Sequence, residues 1–108
     1  MYKRQIRGAV ANWAKTLANE VGKYGITVNN LLPGSTNTER LAEIFEDRAS
    51  RNNTSIQAEQ DKMKLSIPAG RFAEASEIGA AIAFLASPAA SYINGINLPV
   101  DGGRTKSL

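Results

Sequence analysis

The stretch Gly25–Thr38 constrains the fold of this chain more than any other part of it. Its apolar residues are Ile26, Val28, Leu31 and Leu32. This apolar density without strict alternation is typical of a strand inside a parallel sheet, and it predicts a strand over Ile26–Leu32. Pro33 has no N–H for the sheet and ends the strand, while Gly34 lets the backbone turn and pass close to another molecule.

Short polar side chains follow that proline and glycine, at the carboxyl end of the predicted strand. They are Ser35, Thr36, Asn37 and Thr38. In open α/β sheets, ligands bind in the crevice outside the carboxyl ends of the strands. Thr38 precedes a helical pattern and is predicted to be its N-cap. The stretch therefore predicts a ligand site, with an ordinary strand-to-helix turn as the alternative.

The composition excludes several kinds of chemistry. The chain has 108 residues, of which 43% are hydrophobic and 21% charged, as in one globular domain or less. It contains no cysteine and no histidine, so we expect neither a thiolate or imidazole metal site nor a Cys or His nucleophile. The net charge is only +3, with basic residues scattered singly, which argues against a nucleic-acid partner. No apolar run approaches about 18 residues and no signal peptide is recognisable, so we expect no membrane partner and a cytoplasmic protein.

An amphipathic helix is predicted over Ile6–Val21. Its apolar stripe consists of Ile6, Val10, Trp13, Leu17 and Val21. Alanines on the neighbouring faces would let a second surface approach closely, which suits a helix shared between the core and a subunit interface. Gly22 is the predicted C-cap of this helix.

Two weakly apolar helices are predicted next, over about Glu39–Arg51 and Ser55–Lys64. Thr54 and Gln57 have the spacing of a capping box at the start of the second. A narrow apolar edge under a charged exterior is typical of a lid that packs lightly over a pocket. A plain surface helical hairpin is the alternative.

A further helix is predicted over about Glu74–Ala86 and a second short strand over Ile96–Val100. Pro99 inside that strand indicates a sheet edge, because an edge strand can lack one N–H. Strand, helices and strand then form one right-handed βαβ unit, in which the two strands pair in parallel and the long helix covers one face.

Three stretches of the chain carry a resemblance to a known family. They are Ile26–Asn29 with Pro33, Gly34 and Thr38; Pro68–Phe72 with Glu77, Ile78 and Ala83–Ser87; and Tyr92–Gly95 with Val100–Gly103. In order and spacing they resemble the C-terminal half of the short-chain dehydrogenase/reductase family, of a type like the 3-oxoacyl-[acyl-carrier-protein] reductases. The resemblance implies an α/β fold, the C-terminal part of a Rossmann-type doubly wound parallel sheet that supplies its last two strands and helices.

The resemblance also implies a cofactor, NAD or NADP, and a small-molecule carbonyl or alcohol substrate. By this likeness, Pro33, Gly34 and Thr36 line the nicotinamide and hold its carboxamide through backbone groups, while the Thr38 hydroxyl lies near the carboxamide or the pyrophosphate. Residues 39–67 correspond to the substrate lid. The full protein is expected to be a homodimer or homotetramer.

The catalytic Tyr-x-x-x-Lys pair of the family is where this sequence departs from the pattern. Alignment on the following helix places Arg7 at the lysine and Lys3 at the tyrosine. Arg7 can lower the pKa of a neighbouring phenol electrostatically and can hydrogen-bond a ribose, but a guanidinium stays protonated and does not pass on a proton. A solvated arginine at the helix start is the alternative.

Residues 1–5 fit poorly with the helix that follows them. Read back into codons, they resemble the end of a transposon adapter used for sequencing libraries, so we expect them to be non-native and residues 6–108 to be a fragment of a single NAD(P)-binding domain. The Gly-rich phosphate loop of the family is absent from the chain. We therefore expect this fragment alone to be inactive.

Two functions remain open at this stage. The first is an NAD(P)-dependent oxidoreductase that transfers a hydride between nicotinamide and a carbonyl or alcohol. The second is a non-catalytic homologue that binds a dinucleotide or only oligomerises. Residues upstream of the helix would distinguish them, because the enzyme needs a tyrosine four positions before Arg7.

Overall fold

The computed structural model describes residues 2–107, which form two compact units. The helices are α1 (Tyr2–Val21), α2 (Glu39–Asn52), α3 (Ile56–Leu65) and α4 (Ala75–Leu85); the strands are β1 (Asn30–Pro33) and β2 (Asn97–Val100). The first unit contains the residues up to Leu32 together with Ala80–Leu98. The second contains Pro33–Gly79 and the residues from Pro99 onwards. No helix within residues 2–107 combines the length and apolarity that crossing a bilayer requires.

The two strands pair in one parallel sheet, as the sequence predicts. The amide of Asn30 donates to Ile96 O at 2.9 Å in the first unit, and the amide of Gly34 donates to Val100 O at 2.9 Å in the second. Both bonds join residues with the same sequence offset, which only parallel strands allow. The Rossmann-type assignment therefore rests on an observed parallel pair.

The strand β1 is shorter than predicted, because asparagine side chains replace the ladder before residue 30. The amide of Val28 donates to Asn94 Oδ1 at 2.9 Å. The side chain of Asn29 donates to Ile93 O at 3.1 Å and accepts from the amide of Ile96 at 3.2 Å. These side-chain bonds satisfy backbone groups that a regular ladder would otherwise pair.

The helix α1 begins at Tyr2, four residues before the predicted start, while Met1 lies outside the described residues. The prediction that residues 1–5 are non-native stays a prediction. The α-helix ends at Val21, directly before the predicted C-cap Gly22. The helix tightens into a 3₁₀ turn over Gly22–Tyr24, and Gly25, with φ of 74°, is the left-handed residue that ends it by donating to Gly22 O. Only glycine adopts that conformation without strain, which is why the stop falls there.

The core of the second unit lies between α2, α3 and the turn that follows α3. It consists of Leu41, Phe45, Ile67 and Phe72, with Met63 packed against it. The rings of Phe45 and Phe72 are 5.5 Å apart, and Phe45 is only 1% exposed. Leu41, Phe45 and Met63 from the apolar edge of the predicted lid therefore pack within this unit, while Ile56 is 43% exposed.

Capping residues fix where α2 and α3 begin. Thr38 caps α2 as predicted, with its side chain accepting from the amide of Leu41 at 3.3 Å. The predicted capping box of Thr54 with Gln57 is wrong, because Ser55 is the N-cap of α3. Its hydroxyl accepts from the amide of Ala58 at 3.1 Å, which leaves the Thr54 hydroxyl free for another partner.

Apolar side chains of the first unit are widely exposed within the described chain. Ile26 is 52% and Leu32 is 47% exposed, so the interior burial expected for this strand is not seen. The physical reason is that β1 has a single neighbouring strand, β2, among residues 2–107. On α1, only Ala14 and Ala18 are buried, while Trp13 is 62% exposed.

Candidate functional site

The carboxyl end of β1 lies directly against the end of β2. A Cβ built on Gly34 would stand 2.7 Å from the Cα of Asp101 and 2.8 Å from its Cβ. These distances are shorter than any ordinary carbon contact, so glycine is the residue that permits the approach. The loop that begins at Gly34 therefore leaves the strand along a path fixed by Asp101.

Beyond Gly34, the backbone of Ala73 holds the loop in place. The amide of Ala73 donates to Ser35 O at 2.9 Å, and the amide of Asn37 donates to Ala73 O at 2.8 Å. Thr36 lies between these bonds as a parallel bridge to Ala73, and its hydroxyl donates to Gly34 O at 3.1 Å. The loop is thus ordered like a short strand.

The backbone of Thr36 itself is left without partners on the opposite side. Within residues 2–107, neither its N–H nor its C=O forms a hydrogen bond, although the residue is half-buried. One donor and one acceptor on the same residue of an ordered loop complement a primary carboxamide, which offers one acceptor and two donors. The arrangement can therefore bind a planar amide through the main chain alone.

The hydroxyl of Thr38 has one role settled by the structure, since it accepts the helix-capping bond from Leu41. Among the described residues its own O–H donates to no partner, so it can donate to a ligand. Next to it, Asn37 is held in place by a bond from its side-chain amide to Glu74 Oε1 at 3.0 Å. The start of α2 is therefore ordered independently of any ligand.

A small cavity of about 80 Å³ lies beside this loop in the second unit. It is lined by Ser35, Ala69, Arg71, Ala73, Glu77, Val100, Asp101 and Gly102. Its charged wall is the pair of Arg71 and Glu77, joined by two hydrogen bonds of 2.8 and 2.7 Å. This bidentate geometry is the strongest that arginine makes with a carboxylate.

The ion pair alters the acidity of its carboxyl group. The guanidinium of Arg71, helped by the amide of Glu74, lowers the pKa of Glu77 from 4.5 to about 2. Glu77 therefore stays ionised at every physiological pH. With its charge satisfied by Arg71, it is poorly suited to act as a general acid.

Asp101 organises the chain that follows β2. Its carboxylate accepts from the amide of Gly103 at 3.0 Å, the amide of Thr105 at 2.9 Å and the Thr105 hydroxyl at 2.6 Å. The side-chain and backbone donors of Thr105 lower the pKa of Asp101. The carboxylate is saturated by its own turn and is a structural group.

A second, open pocket lies on the α2–α3 hairpin, around the buried carboxylate of Glu59. This side chain is 6% exposed and accepts from Thr54 Oγ1 at 2.7 Å and from Asn52 Nδ2 at 3.1 Å. The bond from Thr54, then that from Asn52, lowers its pKa. Glu59 therefore closes the turn between the two helices.

The predicted site residues fall in two places. Pro33, Gly34, Thr36 and Thr38 lie together in one continuous ordered loop of the second unit. Arg7 lies in the first unit, exposed on α1, and its side chain forms no hydrogen bond or ion pair within residues 2–107. The roles of all five residues stay predictions.

Sequence reasoning missed the side chains that support this loop. The sequence pattern included Asp101 in a terminal motif and Ser35 among the polar residues of the loop, but it did not predict their contacts. Arg104, which donates from Nη1 to Ser35 Oγ at 3.3 Å, gave no signal at all. Its contact joins residues 69 positions apart, which no local pattern reveals.

Comparisons with known proteins identify relatives of this chain. The family model described as Enoyl-(Acyl carrier protein) reductase matches residues 4–105. The NADPH-dependent reductase BacG of Bacillus subtilis is 36% identical over 103 residues, covering 95% of this chain and 40% of the relative. The 3-oxoacyl-[acyl-carrier-protein] reductase FabG of Vibrio cholerae is 37% identical over 97 residues, covering 90% of this chain and 35% of the relative.

A solved structure shows the same fold. A short chain dehydrogenase family protein from Francisella tularensis superposes with a TM-score of 0.87 at 31% identity, over 93% of this chain and 41% of that one. The chain thus spans about two fifths of the length of the proteins that it matches. The parallel strand pair, the ordered loop after β1 and the matching family model together show that this chain belongs to the short-chain dehydrogenase/reductase family.

Proposed function

We propose that the complete protein carrying this chain is an NAD(P)-dependent oxidoreductase that moves a hydride between nicotinamide and a carbonyl or alcohol. The observation that carries the proposal is that, in an otherwise ordered loop, the N–H and C=O of Thr36 have no hydrogen-bond partner in the part of the chain that the structure describes. They match the donor and acceptor groups of a nicotinamide carboxamide. The loop also lies at the carboxyl end of a strand in a parallel sheet, where ligands of such folds bind.

Each residue of the loop has a distinct part in this proposal. Gly34 sets the path of the loop, Thr36 holds the carboxamide through its main chain, and Pro33 borders the ring. The Thr38 hydroxyl donates toward the carboxamide or the pyrophosphate. A bound nicotinamide supplies the hydride, so the task of these residues is to fix the ring relative to the substrate.

Arg7 supplies a permanent positive charge on α1 in this proposal. A cation near a phenol lowers the pKa of that phenol and favours the phenolate that accepts the alcohol proton. Arginine performs this electrostatic role but keeps its own protons, unlike lysine. A non-catalytic homologue that binds the dinucleotide remains the second candidate, and the arginine at this position is what favours it.

Other parts of the proposal come from the family and from the composition. Residues 39–67 form the substrate lid, and the protein works in the cytoplasm as a homodimer or homotetramer. NADPH is the expected cofactor, since BacG is named as an NADPH-dependent reductase. A 3-oxoacyl-[acyl-carrier-protein], the substrate in the name of FabG, is one substrate type in this proposal and a free oxo acid, which unlike that thioester carries a carboxylate, is the alternative. The 1–5 segment is proposed to be foreign to the natural protein.

The experiment uses the complete protein and a pair of substitutions at one position. Thr36→Pro removes the backbone N–H, whereas Thr36→Val keeps it and loses only the hydroxyl. We expect Thr36→Pro to weaken NADPH binding by about 10-fold or more and Thr36→Val to change it far less, measured by NADPH fluorescence.

Binding of ADP-ribose, which lacks nicotinamide, serves as the control for folding. It should be the same in both variants if the loss is confined to the carboxamide. Equal NADPH affinity in the two variants would contradict the assigned role of Thr36. Failure of the unaltered protein to bind NADPH or NADH, or to oxidise either with any carbonyl compound, would count against the oxidoreductase.

A further inference from the structure

Arg104 lies at the loop that carries the candidate carboxamide site. Its Nη1 donates to Ser35 Oγ at 3.3 Å, and Ser35 is the residue immediately before Thr36. The Ser35 hydroxyl in turn donates to Met63 Sδ of α3 at 3.3 Å. A residue of the chain's tail therefore places a guanidinium beside the loop.

The turn that carries Arg104 is built in advance of any ligand. The Asp101 carboxylate binds the amides of Gly103 and Thr105, and the Arg104 amide donates to Asp101 O at 3.3 Å. Gly102 and Gly103 adopt φ of 65° and 86°, a conformation that glycine takes without strain. Binding through Arg104 thus needs little ordering of the backbone, which preserves affinity.

The charge of Arg104 is not neutralised within the described chain. Among residues 2–107, no carboxylate oxygen lies within 4.0 Å of its guanidinium, whereas Arg71 is paired with Glu77. The Asp101 carboxylate is occupied by three donors of its own turn. A guanidinium has five N–H donors, and the bond to Ser35 uses one of them.

We propose that Arg104 is a specificity residue that binds the carboxylate of an oxo-acid substrate; this rests on the function proposed above. A planar guanidinium with free donors is suited to bidentate recognition of a carboxylate. Its anchor, Ser35, adjoins the residue that holds the nicotinamide. A carboxylate bound there would hold the same small molecule beside this loop, where the candidate nicotinamide site lies.

The reaction then balances without any further reactant. The carbonyl carbon gains a hydride and its oxygen gains a proton, so an oxo acid becomes a hydroxy acid while the reduced dinucleotide is oxidised. The carboxylate at Arg104 is unchanged throughout. The pyrophosphate of the dinucleotide is the other anion that a guanidinium at this place can bind, and the experiment distinguishes the two.

The test measures kcat/KM of the complete protein for a panel of 2-oxo and 3-oxo acids, each paired with its methyl ester. We expect the acids to be preferred, and Arg104→Gln to lower kcat/KM for them by about 10- to 100-fold while leaving the esters nearly unchanged, as loss of a charged hydrogen bond predicts. Lys106→Gln removes the same charge from the same tail and should leave the preference intact. Arg104→Lys should keep part of the preference for acids that Arg104→Gln loses.

Three results would overturn the inference. The first is an acid preference that survives in Arg104→Gln, and the second is reduction of no acid in the panel by a protein that binds NADPH. The third is a loss in Arg104→Gln of NADPH affinity with no change in the acid-to-ester ratio, which would assign the guanidinium to the pyrophosphate. Failure of the unaltered protein to bind NADPH or NADH would instead reject the function on which the inference rests. Unchanged ADP-ribose binding and thermal melting show that each variant is folded.

Discussion

Gly34 and Asp101 approach each other more closely than any side chain at position 34 would allow. A Cβ there would stand 2.7 Å from the Asp101 Cα. The close approach couples the end of β1 to the turn after β2, and so couples the candidate nicotinamide loop to the tail that carries Arg104. The same glycine thus serves the fold and the site.

Gly34→Ala should disturb both the fold and the site. The added methyl group meets backbone as well as side-chain atoms, so the strand end must shift. We expect the free energy of unfolding of the complete protein to fall by about 1–3 kcal/mol and NADPH binding to weaken. Gly79→Ala is the matched control, because a Cβ there meets nothing within 4 Å and alanine favours a helix. Equal stability of both variants in urea unfolding would show that the contact is unimportant.

Phe45→Ala should be among the most destabilising changes in the second unit. Phe45 is 1% exposed and packs on Phe72, so its loss leaves a cavity between α2, α3 and the following turn. We expect a loss of about 3–5 kcal/mol in urea unfolding of the complete protein. Ile56→Ala on α3, where the side chain is 43% exposed, is the comparison and should cost far less. A similar cost for the two would mean that this core is not what stabilises the hairpin.

The ion pair of Arg71 and Glu77 predicts a loss of stability in acid. The pKa of Glu77 is about 2 in the folded chain against an ordinary value of 4.5. A carboxyl with a depressed pKa stabilises the folded state above its unfolded pKa, and this contribution is lost as the pH falls from about 4.5 to about 2. Glu77→Gln should flatten the dependence of the melting temperature on pH in that range, and Glu46→Gln, at an exposed position on α2, should not. An unchanged slope in Glu77→Gln would argue against the pair.

The helix α1 is predicted to contribute to a subunit interface of the complete protein. Its apolar stripe is exposed in the described chain, with Ile6 and Trp13 each 62% and Val10 50% exposed. Burial of such side chains is favourable by about 1.5–3 kcal/mol each. Trp13→Glu should therefore shift a dimer or tetramer toward smaller species in sedimentation, while Asn19→Glu, off the stripe, should not. A complete protein that is already a monomer at micromolar concentration would contradict this.

The segment 6–108 expressed alone is predicted neither to fold stably nor to catalyse a reaction. Large apolar side chains of the first unit are exposed to solvent, among them Trp13 (62%), Ile26 (52%) and Ile82 (53%). Ordering the backbone costs about 1–2 kcal/mol per residue, and exposed apolar surface contributes nothing toward offsetting it. A cooperative thermal transition of a monomer, shifted upward by NADPH, would refute the prediction.

The sequence predicts those parts of the fold that depend on residues close together in the chain. The two strands, their parallel pairing and the cap at Thr38 follow from β-branched density, from proline and from a hydroxyl before a helical pattern. The ends of elements were less readable. The α-helix ends directly before the predicted C-cap Gly22, but only the geometry of the 3₁₀ turn that follows assigned the left-handed position to Gly25.

The sequence by itself determined the class of the fold, its family motifs and the loop in which the candidate site lies, because these depend on residues close together in the chain. Tertiary structure alone decided which groups of that loop remain available. The backbone of Ala73 pairs with Ser35 and Asn37, which leaves the N–H and C=O of Thr36 without partners among residues 2–107. Arg104 donates to Ser35, 69 positions away in the sequence. Such contacts depend on where distant segments meet, and the free energy that selects them comes from packing and hydrogen bonds that no local pattern encodes.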